Sequence, residues 1–285
     1  MKKDYQIAGH RIRIEGSESW VNAVTALDGF RPFEVEPEGE PLACFTFSEE
    51  EMPTFVETQY ESCVDEIRNA FGRYADGYLF TTTPADGGML GFWKADDSQV
   101  FHFQGELTLR LLRFSLWIAY GLATLPLSTI AIHTSVIQHG GKTVLFLGES
   151  GTGKSTHTRL WRENILGATL LNDDSPMLRV IDGKVWMFGS PWSGKTPCYK
   201  NESYPLAACV RLSQAPHNKI RRLSIPQAYA AIHPSCPPDF AYDDRLYDCI
   251  SETLGQVLGQ VPVYHLECLP NAEAAHLSFQ TVFGE

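Results

Sequence analysis

The sequence predicts an α/β chain, α+β in overall make-up, in which a mixed-sheet phosphate-loop domain follows a smaller β-rich N-terminal domain. Three observations carry this expectation. Short runs alternate apolar and polar residues through the N-terminal part, as in His10-Arg11-Ile12-Arg13-Ile14. From Ile130 the pattern changes to strand, glycine-rich turn, helix, strand. That turn, Gly148-Glu149-Ser150-Gly151-Thr152-Gly153-Lys154-Ser155-Thr156, has the spacing of a phosphate-binding loop and follows the apolar run Thr143–Leu147. The expected division is 1–104 for the β-rich domain, with a role in recognising an acceptor, and 105–285 for the nucleotide-binding domain.

Along the chain, Leu42–Phe47 alternates like a strand. Tyr78–Thr82, Leu90–Lys94 and Val100–Phe103 are strand-like runs separated by Asp86-Gly87-Gly88 and Ala95-Asp96-Asp97-Ser98, which suit hairpin connections. Met52–Arg73 has helix-compatible stretches whose edges Pro53 and Gly72 blur, and its state stays open. Gly105–Ala123 reads as a buried helix stopped before Pro126, with a strand over Ile130–Gln138. Lys154–Glu163 is the helix opened by the loop, and Thr169–Asn172 the next strand. Asp182-Gly183 joins Leu178–Ile181 to Val185–Phe188 as a hairpin, which makes the sheet mixed. Leu206–Leu212 and Lys219–Leu223 follow as strands, Ser224-Ile225-Pro226-Gln227 as a capped helix start, Tyr242–Gln260 as a helix and Val261–Leu266 as a closing strand.

Composition narrows the function classes. A chain of 285 residues with 44% hydrophobic content can bury a sizeable core. A formal charge of -11 argues against a broad nucleic-acid interface, and the single basic cluster Lys219-Ile220-Arg221-Arg222 reads as an exposed strand. Seven scattered cysteines without CxxC spacing suit reduced thiols in a cytoplasm. Met1–Tyr5 lacks an apolar continuation, so no secretory signal is expected, and Pro126 divides the uncharged stretch Phe114–Ile132, so no membrane span is expected either.

The loop sets the chemistry. Glycines let successive backbone N–H groups curl around phosphate oxygens, and the helix N-terminus behind them favours negative charge. Gly148, Ser150, Gly151, Thr152, Gly153, Lys154, Ser155 and Thr156 are the expected nucleotide-binding residues, with Lys154 on the outer phosphates and the Ser155 hydroxyl on magnesium. Asp173 and Asp174 end the strand after the loop helix, where one carboxylate can take a proton from an acceptor hydroxyl while the other serves the metal. His133 lies in an apolar run and is either a core histidine or part of this site. In Gly189-Ser190-Pro191-Trp192-Ser193-Gly194-Lys195, Trp192 is either an exposed platform or packed inward, and Lys195 either reaches phosphoryl charge or is solvated; the segment is a candidate substrate loop. His139 and His157 read as ordinary polar positions, Arg159 and Arg162 as a solvated helix face, and Cys198 and Cys209 as packing residues.

His133, the loop from Gly148, and the Asp173-Asp174 pair, in that order, resemble the catalytic domain of HPr kinase/phosphorylase and its phosphoenolpyruvate-carboxykinase-like relatives over Ile130 to Leu212. Gly189–Lys195 and Pro262–Pro270 are similar to a branch of that superfamily that looks like accessory kinases of peptide-modification systems. The resemblance implies a mixed-sheet P-loop fold of that type, ATP or GTP with Mg2+, Asp173 as general base tuned by His133, Asp174 with Ser155 at the metal, and assembly into homo-oligomers. The segment after the acids departs from the signature by which HPr is engaged, and the chain is too short for a carboxykinase. The function expected is therefore an ATP- and magnesium-dependent kinase acting on a hydroxyl of a peptide, protein or small molecule. A nucleotide-responsive binding protein without phosphotransfer is the alternative.

Overall fold

The computed structural model describes residues 1–194 and 196–284; Lys195 and Glu285 lie outside the described residues. The fold is mixed α/β, as the sequence predicts, with two large mixed sheets in two compact units: Met1–Leu127 with Pro238–Asp248, and Ser128–Pro237 with Cys249–Glu285.

The first unit contains β1 (Lys2–Ile7), β2 (His10–Glu15), α1 (Glu18–Thr25), β3 (Glu34–Val35), β4 (Ala43–Phe47), β5 (Glu57–Val64), β6 (Ile67–Tyr74), β7 (Gly77–Pro84), β8 (Leu90–Ala95), β9 (Val100–Gly105) and α2 (Leu109–Thr124). Among the described residues its sheet has nine strands in the order β3-β1-β2-β4-β9-β8-β7-β6-β5. Period-two alternation puts Phe45, Phe71, Phe80, Phe92, Phe101 and Phe103 among its fully buried side chains. Trp20 of α1, a helix the sequence pattern did not signal, donates its indole N–H to the Phe45 carbonyl at 3.1 Å.

The sequence left Met52–Arg73 open and placed the domain division at 104. Met52–Arg73 holds no helix: it forms the β5–β6 hairpin, turning at Asp65 and Glu66 with φ of 49° and 63°. Two consecutive left-handed residues make a tight hairpin turn, which Asn-Gly normally signals; an acidic pair concealed it. The helix expected to open the second domain packs on β7 and β8, so the division falls after Leu127 and not at 104. Pro238–Asp248 also joins this unit, where Asp243 accepts from Tyr78 Oη at 3.1 Å and Gln59 Nε2 at 3.2 Å.

The second unit contains β10 (Thr129–Ala131), β11 (Thr134–His139), β12 (Lys142–Leu147), α3 (Lys154–Asn164), β13 (Thr169–Asp174), β14 (Met177–Ile181), β15 (Lys184–Phe188), β16 (Ser203–Gln214), β17 (Lys219–Arg222), α4 (Ile225–Ile232), β18 (Val263–Cys268) and α6 (Ala272–Phe283). Between α4 and β18 lies α5 (Asp244–Leu258). The expected strand Ile130–Gln138 is two strands with different partners: β10 pairs with β14, whereas β11 lies between β12 and β13. At the break, the Ile132 and His133 amides bond instead to the Pro176 and Ser235 carbonyls, at 3.1 and 2.7 Å.

Direction matters more than order. β12 is parallel to β16 and β16 to β18; β13 is antiparallel to β11, which is antiparallel to β12. The chain ends of β13, β12, β16 and β18 therefore share one edge of the sheet, with His133 just before the start of β11 on that same edge. Ligands gather at such carboxyl ends in α/β sheets. Behind them Phe146, Val210, Leu212 and Leu266 pack against Trp161 of α3 and Ala275 of α6. The helix α6 starts at an Asn271 cap whose side chain accepts from the Ala274 N–H, a signal that sequence reasoning missed, whereas the capping box at α4 was expected.

Candidate functional site

Gly148, Gly151 and Gly153 have φ of 154°, 83° and 102°, which side chains rarely adopt. A Cβ on Gly148 would also lie 2.4 Å from Thr152 Oγ1. Thr152 ties the loop to itself through the Glu149 carbonyl at 2.8 Å, and Ser150 sits exposed at the tip. Gly153 caps α3 without any side-chain acceptor, leaving the first N–H groups of the helix for a ligand.

Lys154 Nζ donates to the Gly148 carbonyl at 2.7 Å and lies 3.3 Å from His133 Nε2. Burial lowers its pKa, and the nearby Asp174 and Asp173 carboxylates oppose that shift. Because an ammonium only donates, His133 Nε2 accepts and the ring proton belongs on Nδ1, which lies 3.1 Å from Asp174 Oδ1. The register pair Thr134↔Asp174 is what brings this histidine beside the second acid.

The first acid has a different partner. Ser155 Oγ lies 3.2 Å from each oxygen of Asp173, a carboxylate only 6% exposed. Successive strand residues point to opposite faces, so adjacent acids meet different neighbours. The resemblance implied His133 with Asp173 and Ser155 with Asp174; the contacts are His133 with Asp174 and Ser155 with Asp173. Asp174 has φ 137°, a conformation costing on the order of 1–3 kcal/mol that persists only where surroundings impose it.

Those surroundings include a residue that sequence reasoning missed. Asn172 is fully buried; its amide nitrogen reaches the Trp192 carbonyl at 3.1 Å and Ser190 Oγ at 3.3 Å, and its oxygen accepts from Ser175 N–H at 3.1 Å. Ser193 Oγ and the Gly194 N–H both donate to the Asp173 carbonyl. A Cβ on Gly194 would lie 3.2 Å from Asp174 Cβ, so the approach is close. The signal available was an Asn directly before two acids on an apolar strand. Trp192 is 3% exposed and is no surface platform, and Lys195 lies outside the described residues.

The oxygens of Ser155, Asp173 and Asp174 are hard donors and fit magnesium. Among the described residues no group of three or more His, Cys, Asp or Glu could hold a metal by itself, so phosphate oxygens and water would complete such a site. His157, on the inner face of α3, contacts Ser278 Oγ at 3.0 Å and Trp161 Nε1 at 3.2 Å, and burial pushes its pKa down to about 4. It is a structural group. None of the described helices is long and apolar enough to cross a membrane.

No family model and no curated protein matches this sequence. Among solved structures it is similar to the HPr(Ser) kinase/phosphatase from Coxiella burnetii, at 13% identity over 51% of this chain and 84% of that one, with a TM-score of 0.30. At that level the likeness carries no functional argument, and the residues must carry it.

Proposed function

We propose that this chain is an ATP- and magnesium-dependent phosphotransferase that moves the terminal phosphoryl group onto a hydroxyl of a peptide, a protein or a small molecule. The observation that supports it best is the convergence of Lys154, His133, Asp174, Ser155 and Asp173 on one glycine loop. Lys154 and the loop N–H groups hold the phosphates and counter charge on the moving group. Ser155 and Asp173 would hold magnesium, which would supply positive charge against the charge that develops during transfer. The contacts favour Asp173 with Ser155 on the metal side, and Asp174, oriented by His133 Nδ1–H, as the group that takes the acceptor's proton. Seven cysteines, none of them in a disulfide among the described residues, support a reducing, cytoplasmic setting for this activity.

The test measures transfer of labelled phosphate to candidate acceptors beside nucleotide affinity. Asp174→Asn is expected to lose about 100-fold or more in transfer with ATP affinity nearly intact. Asp173→Asn is expected to raise the magnesium concentration required. The reverse pattern would restore the division of roles implied by the resemblance. A nucleotide-responsive binding protein is the second reading, favoured by the hydrogen bonds tying Trp192 and Ser193 to the strand that carries the acids. Tight ATP binding, no transfer to any acceptor, and a partner affinity that changes with ATP would select it.

A further inference from the structure

The loop is flanked unequally. On the β11–β13 side stand His133 and the two acids; on the β16–β18 side lies a cavity of about 560 Å³. It shares Gly151, Gly153 and Thr156 with the phosphate loop. Its remaining wall is largely apolar, with Leu160 from α3, Leu212 from β16, and Leu269 and Pro270 just past β18. The volume falls inside the roughly 300–1,000 Å³ range of small-molecule sites.

A nucleoside triphosphate lying across the loop has two distinguishable ends. Lys154, contacting His133 and influenced by both acids, marks the reacting end. The base must then leave on the other side, past Thr156, toward the ends of β16 and β18. We propose that this cavity is the nucleobase site and that it selects adenine over guanine; the inference rests on the triphosphate reading above and extends it to the identity of the nucleotide.

Selectivity comes from the wall. Gln214 Nε2 is 3.2 Å from the Gly151 carbonyl. A carbonyl can only accept, so the amide nitrogen faces the loop and Gln214 Oε1 remains as one acceptor, which the amino group of either purine could use. Among the described residues, no Asp, Glu, Lys or Arg lines the cavity. With Gln214 Oε1 serving its amino group, guanine still presents a ring N–H donor and a carbonyl acceptor on the same edge, and a wall without a carboxylate or a cation leaves these poorly paired. Adenine has fewer such groups, and its face packs on leucine and proline.

The experiment is calorimetric binding, with magnesium, of ATP, GTP and inorganic tripolyphosphate to the whole chain. ATP is expected to bind at least about tenfold tighter than either of the others. Ala215→Trp, which fills the cavity from its half-buried wall, is expected to weaken ATP about tenfold and leave tripolyphosphate unchanged. Leu269→Glu, at a position 37% exposed and so safe for folding, is expected to do the same. Equal affinity for ATP and tripolyphosphate, equal affinity for ATP and GTP, or indifference of ATP binding to both variants would overturn the assignment. ATP selectivity without any transfer would uphold the base site while removing the kinase reading; absence of binding by all three ligands would remove both.

Discussion

Each of the two sheets contains three adjacent parallel strands, β2-β4-β9 in the first unit and β12-β16-β18 in the second, yet their carboxyl ends are used differently. In the first sheet the indole of Trp20 stands against Phe47 and Phe103, at centroid separations of 5.8 and 5.1 Å, and plugs that region with aromatic surface. In the second, the chain leaving β12 becomes a loop of left-handed glycines that ends in Lys154. The lesson is that parallel strands supply a place where groups converge, and the first connection after the strand decides whether that place is core or site.

The comparison can be broken at four points, taken from the largest expected effect. Trp20→Ala should cost about 3–5 kcal/mol in urea denaturation, since it empties a fully buried site and frees the Phe45 carbonyl. Nucleotide affinity of the folded fraction should not change; a change would show that the first sheet's edge is no mere core. Lys154→Ala should lower phosphoryl transfer by about 100- to 1,000-fold, equivalent to about 3–4 kcal/mol, while thermal stability stays level. Loss of folding instead would make that lysine a structural cation.

A third test uses pH. Burial holds His157 at about 4 in the folded chain, below its value of 6.5 when unfolded. Between these values the unfolded chain binds the extra proton, so this stabilisation is complete above pH 6.5 and is lost as pH falls toward 4, a span of about 3 kcal/mol. His157→Gln should flatten the stability curve across that window, and an unchanged slope would reject the burial argument. Smallest is Asp174→Gly, which should raise stability by about 1 kcal/mol by releasing the backbone at φ 137° while abolishing transfer. A loss of stability there would mean that the contact with His133 outweighs the strain.

Part of the fold was legible because the signals are local. The hairpin at Asp182-Gly183 turns with φ of 49° and 72°, as its residue types demand, and Ser224 and Gln227 form the expected capping box. The β5–β6 hairpin was not legible, because two acids adopt the conformation that Asn-Gly would advertise. Nor was the interruption at Ile132-His133, since each half of that apolar run satisfies the strand pattern and only the identity of the partner strand separates them.

The sequence by itself determined the phosphate loop, because glycine's tolerance of positive φ and the unpaired N–H groups of a helix start are properties of consecutive residues. Its alternation likewise determined a β-rich first unit. Tertiary structure alone decided which acid meets Ser155 and which meets His133, that Trp192 turns inward onto the Asn172 network, and that an apolar cavity opens beside the loop. These depend on strand register, where a shift of one residue reverses every side chain, and register is set by pairing between segments far apart in the chain.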